Sequence, residues 1–394
     1  MSSESKDTFC PLPWTSMALH PTGKAQVCCV SKSIGDTTKN SLVEIWNNDA
    51  FKKLRVDMLN GVENNICKSC YAHEKLGINS SRLNWNKIFD TVRTDIASET
   101  KVDGTLDRFE LKYVDVRFNN LCNFKCRTCD SVYSSRIATE SKVKQVLHVN
   151  SDDVVSQFKS HYPYLKQIYF AGGEPMIQQE HWTMLSDLID IGRSQYIDLQ
   201  YSTNGSTLTF KEHDIIDYWS KFKSVTAMFS IDAMGKQAEY WRDGTVWEDI
   251  VANMRRAKTC SNVITSVHST VGWPNIYSWI SFVKYALDTE LCGITNISIW
   301  YLTSPIEYSL QSIPGFKKEE IKLEIENLID YVKPIENSQF LTEQLISMID
   351  FMYANDTQNA IILMKGNINK TDDIRGKYLL DYFPEHENMR GYLL

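Results

Sequence analysis

An α/β fold organised around a parallel sheet is predicted by three features of the 394-residue chain. Between residues 113 and 302, six short apolar runs alternate with longer amphipathic stretches, the pattern of strands joined by crossover helices. The chain is 43% hydrophobic and 23% charged, which supplies apolar mass for a sizeable core. Four clusters of chemistry-bearing residues each end or follow one of the six runs, and α/β sheets gather ligands at the carboxyl ends of their strands.

The elements follow in chain order. The first zone runs to about residue 100. Its "SMALHPTGKAQVCCVS" alternates apolar and polar residues and predicts a β-hairpin turning at Pro21-Thr22-Gly23. Ser41 and Glu44 have capping-box spacing. "NDAFKKLRVDML" has helical period and stops at Asn60-Gly61. In the second zone, 108–305, the strand candidates are "YVDVRF", "QIYF", "IDLQYS", "SVTAMFS", "ITSVHSTV" and "ISIWYL", with helices such as "HWTMLSDLIDIG" and "WEDIVANMRRAK" between them. The third zone, 306–394, has a helical pattern and no nameable chemistry. It is the most acidic part: Gln311 to Leu394 holds 9 Lys+Arg against 14 Asp+Glu.

Composition narrows the function. A net charge of -7 argues against a protein built to bind nucleic acid. No apolar run is long enough to span a bilayer. "MSSESKDTFC" lacks an apolar signal core, so a cytoplasmic location and no membrane partner are expected. In a reducing compartment ten cysteines are not expected to form disulfides, and seven of them fall in tight groups, which favours metal binding. Cys260 and Cys292 are isolated and read as small buried hydrophobes. His20, His73 and His268 have no partner at ligand spacing, although His268 lies on the fifth predicted strand of the zone and could face the interior.

Within "LCNFKCRTCD", Cys122, Cys126 and Cys129 are spaced C-x3-C-x2-C. Three thiolates can hold three irons of a four-iron cluster and leave one iron open, whereas structural sites are closed. The alternative is a zinc site completed by a distant residue. "FAGGEP" follows the second of the six runs. Gly172 and Gly173 allow close backbone approach, Glu174 suits an ammonium group, and Pro175 stiffens the exit.

In this order, C-x3-C-x2-C, GGEP, "STNG" and "FSID" resemble the radical S-adenosylmethionine (radical SAM) enzymes over residues 110 to about 305. The resemblance implies a partial (β/α)6 TIM-like barrel and two cofactors, a [4Fe–4S] cluster and S-adenosylmethionine. It implies reductive cleavage of the sulfonium to a 5′-deoxyadenosyl radical that takes hydrogen from substrate, with electrons from a donor such as flavodoxin or ferredoxin. By position, Cys122, Cys126 and Cys129 resemble the cluster ligands. Gly172, Gly173 and Glu174 resemble the site of the methionine amino group, and Ser230 and Asp232 the ribose-contacting strand. Asn204 supports that pocket. Arg242 resembles an arginine that pairs with the methionine carboxylate. Thr128 departs from the pattern, since the residue before the third cysteine is often bulky and contacts adenine.

The N-terminal "CPLPW", "CC", "EIW" and "CKSCYAHE" resemble the twitch domain, the short form of the SPASM domain, which binds an auxiliary [4Fe–4S] cluster. The resemblance implies Cys10, Cys28, Cys67 and Cys70 as ligands, with Cys29 in reserve; a zinc ribbon is the alternative. Twitch domains usually follow the barrel, and here the order is reversed, across a linker of residues 75–110 that includes a helical "NSSRLNWNKIFDTVRTDIASETK". The expected organisation is a twitch domain over 1–100, a barrel over 108–305 and a helical extension over 306–394. Peptide or protein modification is the expected function. Dehydrogenation of a small carbohydrate-like molecule and a non-catalytic iron–sulfur or zinc scaffold are the alternatives.

Overall fold

The computed structural model of the chain describes residues 7–75, 79–89, 93–143, 151–355 and 360–393. Its strands of three or more residues are Ser16–Leu19 (β1), Lys24–Gln26 (β2), Ser33–Asp36 (β3), Tyr113–Val116 (β4), Gln167–Phe170 (β5), Asp198–Thr203 (β6), Ser224–Ser230 (β7), Val263–Val271 (β8) and Ile297–Tyr301 (β9). Strands β4 to β9 are the six predicted apolar runs, and helices alternate with them as in a partial (β/α)6 barrel. The chain divides into two compact units: Met1–Cys122 with Ser131–Tyr201 and Asp217–Val225, and Asn123–Asp130 with Ser202–Ile216 and Thr226–Leu394.

In the first unit β4, β5 and the start of β6 pair in parallel, with Asp115 opposite Tyr169 and Phe170 opposite Tyr201. The predicted hairpin forms as expected. The Gly23 N–H donates to the His20 carbonyl at 2.9 Å, and Gly23 takes φ +80°, which favours glycine. β1 also pairs in parallel with β4, placing Met17 opposite Val114. The N-terminal zone thus extends the sheet beside β4, which covers an edge that would otherwise present unpaired backbone groups.

The predicted capping box is present: Ser41 caps the helix Leu42–Trp46 and Glu44 returns to the Ser41 backbone. The helix Asp49–Leu59 ends at Asn60 as its sequence signals. Its Arg55 is fully buried. The guanidinium lies 4.5 Å from the Trp46 ring centroid and donates to the carbonyls of Pro13 and Gly104 at 2.9 and 3.3 Å. Burial pulls its pKa down to about 9. The linker segment forms two helices, Ser81–Ile88 and Arg93–Glu99; residues 90–92 of the predicted single helix lie outside the described residues.

The outer face of β5 and β6 packs on the helix Gln179–Asp190. Phe170 stacks on Tyr201 at 5.2 Å, and His181, wholly buried, bonds the Tyr201 hydroxyl at 2.9 Å. Burial pushes the His181 pKa from 6.5 down to about 3. An unfolded chain takes up that proton near pH 6.5, and the folded chain does not until near pH 3. Its stability contribution is therefore complete above the unfolded value and is lost as pH falls, at about 1.4 kcal/mol per pH unit. The urea unfolding midpoint is expected to drop between pH 7 and pH 5, and to drop less in His181→Gln.

In the second unit β8 and β9 pair in parallel from Val267–Ile297 to Val271–Tyr301. The helical C-terminal pattern appears as Gly315–Val332, Gln339–Ala354 and Ala360–Arg375. Ile321, Ile325, Leu328 and Val332 recur at helical spacing and are buried. The helix Ile276–Asp288 buries seven residues, among them Trp279 and Phe282, while Tyr277 and Tyr285 are half-buried. No described helix is long and apolar enough to cross a membrane.

Candidate functional site

In the first unit Cys10, Cys28, Cys67 and Cys70 line one cavity of about 20 Å³, with Arg82 and Trp85 beside them. Short-range hydrogen bonds bring them there. The Ser31 hydroxyl receives the N–H groups of Val27 and Cys28 at 3.1 and 3.3 Å, curling the chain after β2. The Asn64 side chain accepts the Ile66 N–H at 2.9 Å and starts the turn carrying Cys67 into the helix Lys68–Lys75. Arg82 donates to the Phe9 carbonyl at 2.7 Å and pairs with Glu74 at 2.6 Å.

Burial pushes the thiols of Cys10 and Cys28 well up and that of Cys67 up to about 12, while Arg82 opposes the shift at Cys10 and Cys67. Metal binding would discharge those protons. Among the described residues no three His, Cys, Asp or Glu side chains converge to hold a single metal ion. The four thiols line one cavity, and four thiols are the donor set of an iron–sulfur cluster as well as of a structural zinc. Cys29 is exposed and does not line the cavity. Cys28→Ser is therefore expected to lose auxiliary iron and Cys29→Ser to retain it, read by iron analysis after anaerobic reconstitution.

The GGEP turn of the first unit rests on the chain leading to Cys122. Gly173 and Glu174 donate their N–H groups to the carbonyls of Asn119 and Leu121 at 3.4 and 2.8 Å. Gly172 has φ +104°. Glu174 is buried, and one of its carboxylate oxygens accepts the Met176 N–H at 3.1 Å, capping the turn after Pro175. The Cys122 N–H donates to the Ser135 hydroxyl at 3.2 Å.

In the second unit Lys125–Cys126 forms a short antiparallel ladder with Arg242–Asp243, Arg242 opposite Cys126. Arg242 pairs with Asp232 at 2.9 Å, and the other Asp232 oxygen accepts the Thr270 N–H of β8 at 2.7 Å. Burial raises the Cys126 thiol and Arg242 partly offsets it. The Asn204 amide donates to Asn123 at 2.8 Å, so the "TNG" turn holds the residue after Cys122. The Cys129 N–H donates to the Cys126 carbonyl at 3.2 Å. Thr128 and Ser230 are half-buried.

Three further groups had no motif to reveal them. In the first unit Asp115, fully buried on β4, holds Arg117 at 3.1 Å. In the second, His268 stacks on Trp300 with ring centroids 5.5 Å apart, and Trp300 is exposed. The third is a set of C-terminal charges around Lys125–Arg127. The only sequence signal for any of them was the place of His268 on a predicted strand.

Two family models match the chain. Residues 10–71 match the SPASM iron–sulfur cluster-binding domain, and residues 116–279 match the radical SAM superfamily. Among curated proteins, the 7-carboxy-7-deazaguanine synthase of Thermoplasma acidophilum is 24% identical over 98 residues, which are 25% of this chain and 42% of that one. Among solved structures, anSMEcpe with bound AdoMet has TM-score 0.42 and 17% identity, over 57% of this chain and 58% of that one. Streptococcus suis SuiB bound to its precursor peptide SuiA has TM-score 0.40 and 13% identity, over 71% and 63%. The chain thus spans under half the length of that curated relative and under two thirds of those structures. The two domains carry their cofactors with them: a [4Fe–4S] cluster and S-adenosylmethionine for the barrel, and auxiliary iron–sulfur binding for the N-terminal zone. The chain carries a radical SAM superfamily domain over residues 116–279 and an N-terminal iron–sulfur cluster-binding domain of the SPASM type over residues 10–71.

Proposed function

We propose that this protein cleaves S-adenosylmethionine reductively and uses the resulting radical to abstract hydrogen from a peptide or protein. The observation that carries the radical SAM reading is the GGEP turn bonded to the backbone that leads into Cys122. Cys122, Cys126 and Cys129 would hold the cluster and leave one iron for the amino and carboxylate groups of S-adenosylmethionine. When bound, that cluster supplies the electron for sulfonium cleavage, delivered to the protein by a donor such as flavodoxin or ferredoxin.

The chain's own groups orient the cofactor and exclude water. The peptide N–H groups of Gly173 and Glu174 are consumed by Asn119 and Leu121, which fixes the Glu174 turn beside the loop where the amino group would sit. Asp232 orients Arg242 toward the Cys126 strand. Ser230 and Asp232 would face the ribose, Thr128 the adenine, and Asn204 would steady Asn123. Cys10, Cys28, Cys67 and Cys70 would hold the auxiliary cluster. The domain boundaries proposed are 1–100, 108–305 and 306–394. A peptide or protein substrate is supported by the auxiliary domain, since enzymes with that domain most often modify peptides and proteins.

Anaerobically reconstituted protein is expected to hold about eight irons and, with dithionite, to release 5′-deoxyadenosine from S-adenosylmethionine. Zinc in place of iron, or a full iron complement without cleavage, would overturn the reading. Mass spectrometry of candidate peptides after turnover tests the substrate class, and turnover only of a carbohydrate-like molecule would overturn that part.

A further inference from the structure

The last fifth of the chain has no motif, yet it supplies the charged partners of the strand that carries Cys126. Arg127 is wholly buried and pairs with Asp372 at 2.7 Å; Asp372 is 3% exposed. The same Asp372 oxygen receives the Tyr240 hydroxyl at 2.9 Å, and its other oxygen receives the Leu379 N–H at 2.8 Å. The Arg127 guanidinium lies 3.7 Å from the Tyr240 ring centroid. On the other side of Cys126, Arg375 donates to the Lys125 carbonyl at 2.7 Å. Lys377 and Lys125 share Asp243, at 2.8 and 3.2 Å. Both neighbours of Cys126 are therefore bonded to residues 372–377, about 250 positions away.

We propose that Asp372, Arg375 and Lys377 form a clamp that positions Cys126 for cluster binding. A two-residue ladder supplies too few hydrogen bonds to hold a ligand loop in register. A buried arginine held by a carboxylate is strong and directional, and it is costly to leave unpaired. The clamp holds the Lys125 carbonyl on one side of the thiol and the Arg127 side chain on the other, so that its sulfur meets the cluster without a search through loop conformations. The three charged residues are positioning residues, since none contacts the thiol itself. The inference rests on the proposed function, because Cys126 must be a cluster ligand for the clamp to matter.

The test uses the full chain, reconstituted anaerobically with iron and sulfide, as wild type, Asp372→Asn, Arg375→Gln and Cys67→Ala. Iron content and the electron paramagnetic resonance spectrum of the reduced protein are read with and without S-adenosylmethionine. Cys67→Ala identifies the signal of the cluster bound by the other loop. In Asp372→Asn and Arg375→Gln, iron is expected to fall from about eight toward about four. The S-adenosylmethionine concentration giving the half-maximal spectral change is expected to rise about tenfold, the loss of roughly one charge-assisted hydrogen bond. A merely structural role would lower melting temperature without moving that spectral titration. If both variants keep the wild-type iron content and titration, the clamp is overturned while the cluster reading stands; a wild type that takes up no iron overturns both. Should Asp372→Asn fail to fold, Arg375→Gln decides alone, since it leaves the Arg127–Asp372 pair intact.

Discussion

Cys126→Ala is expected to reduce 5′-deoxyadenosine release to background while removing about half of the reconstituted iron. Cys126 is the middle cysteine of the C-x3-C-x2-C loop and is 9% exposed. With two thiolates left, the loop cannot hold three irons, and a cluster with one open iron needs three protein ligands. The cavity lined by Cys10, Cys28, Cys67 and Cys70 keeps its own donors, so about four irons remain. The side chain lost is small and its neighbours are held by Arg375 on the Lys125 carbonyl and by the Arg127–Asp372 pair, so the melting temperature should move by only a few degrees. Cys10→Ala gives the contrasting result: it loses auxiliary iron and spares part of the cleavage. Liquid chromatography of the nucleoside product with iron analysis on the same samples checks both. Wild-type cleavage by Cys126→Ala would remove the loop from the mechanism.

Gly173→Ala is expected to destabilise the protein by on the order of 3 kcal/mol and to abolish cleavage. A Cβ at Gly173 would run into the Leu121 carbonyl oxygen and come within 2.7 and 2.8 Å of the carbonyl carbons of Leu121 and Asn120. These are backbone atoms, so no side-chain rotation relieves the contact. Moving apart breaks the Glu174 N–H bond to the Leu121 carbonyl, now 2.8 Å, and shifts the residue before Cys122. Gly366→Ala is the control: it has no neighbour within 4 Å, lies inside the helix Ala360–Arg375, and should be neutral or stabilising by about 0.5–1 kcal/mol. Urea unfolding and product release distinguish the two. Gly173→Ala with wild-type stability and cleavage would show that the turn's close approach is dispensable.

The sheet was largely legible because each strand announces itself locally. Runs such as "QIYF" and "SVTAMFS" are short, apolar and bounded by turn residues, and they became β5 and β7. Caps are local too, and the Ser41–Glu44 box formed as spaced. The parallel pairing of β1 with β4 was not legible. It joins residues 16–18 to 113–115, and nothing within either strand specifies a partner so far away. The choice between Cys28 and Cys29 was likewise open, since adjacent residues in extended chain point to opposite faces. Packing turned Cys28 into the cavity and left Cys29 exposed.

By itself, then, the sequence determined the inventory: three cysteines one ligand short of a closed cluster, a second group of cysteines large enough to close one, and motifs at the ends of four of the six strands where a cofactor belongs. Those features depend on covalent spacing and on backbone preferences within a few residues, which are written in the chain. Tertiary structure alone decided the partnerships: which four thiols share a cavity, that Arg242 is held by Asp232, and that Asp372 closes on Arg127. Such pairs form only after the apolar core has brought distant segments together, and a single buried Asp or Arg leaves no pattern in the sequence around it.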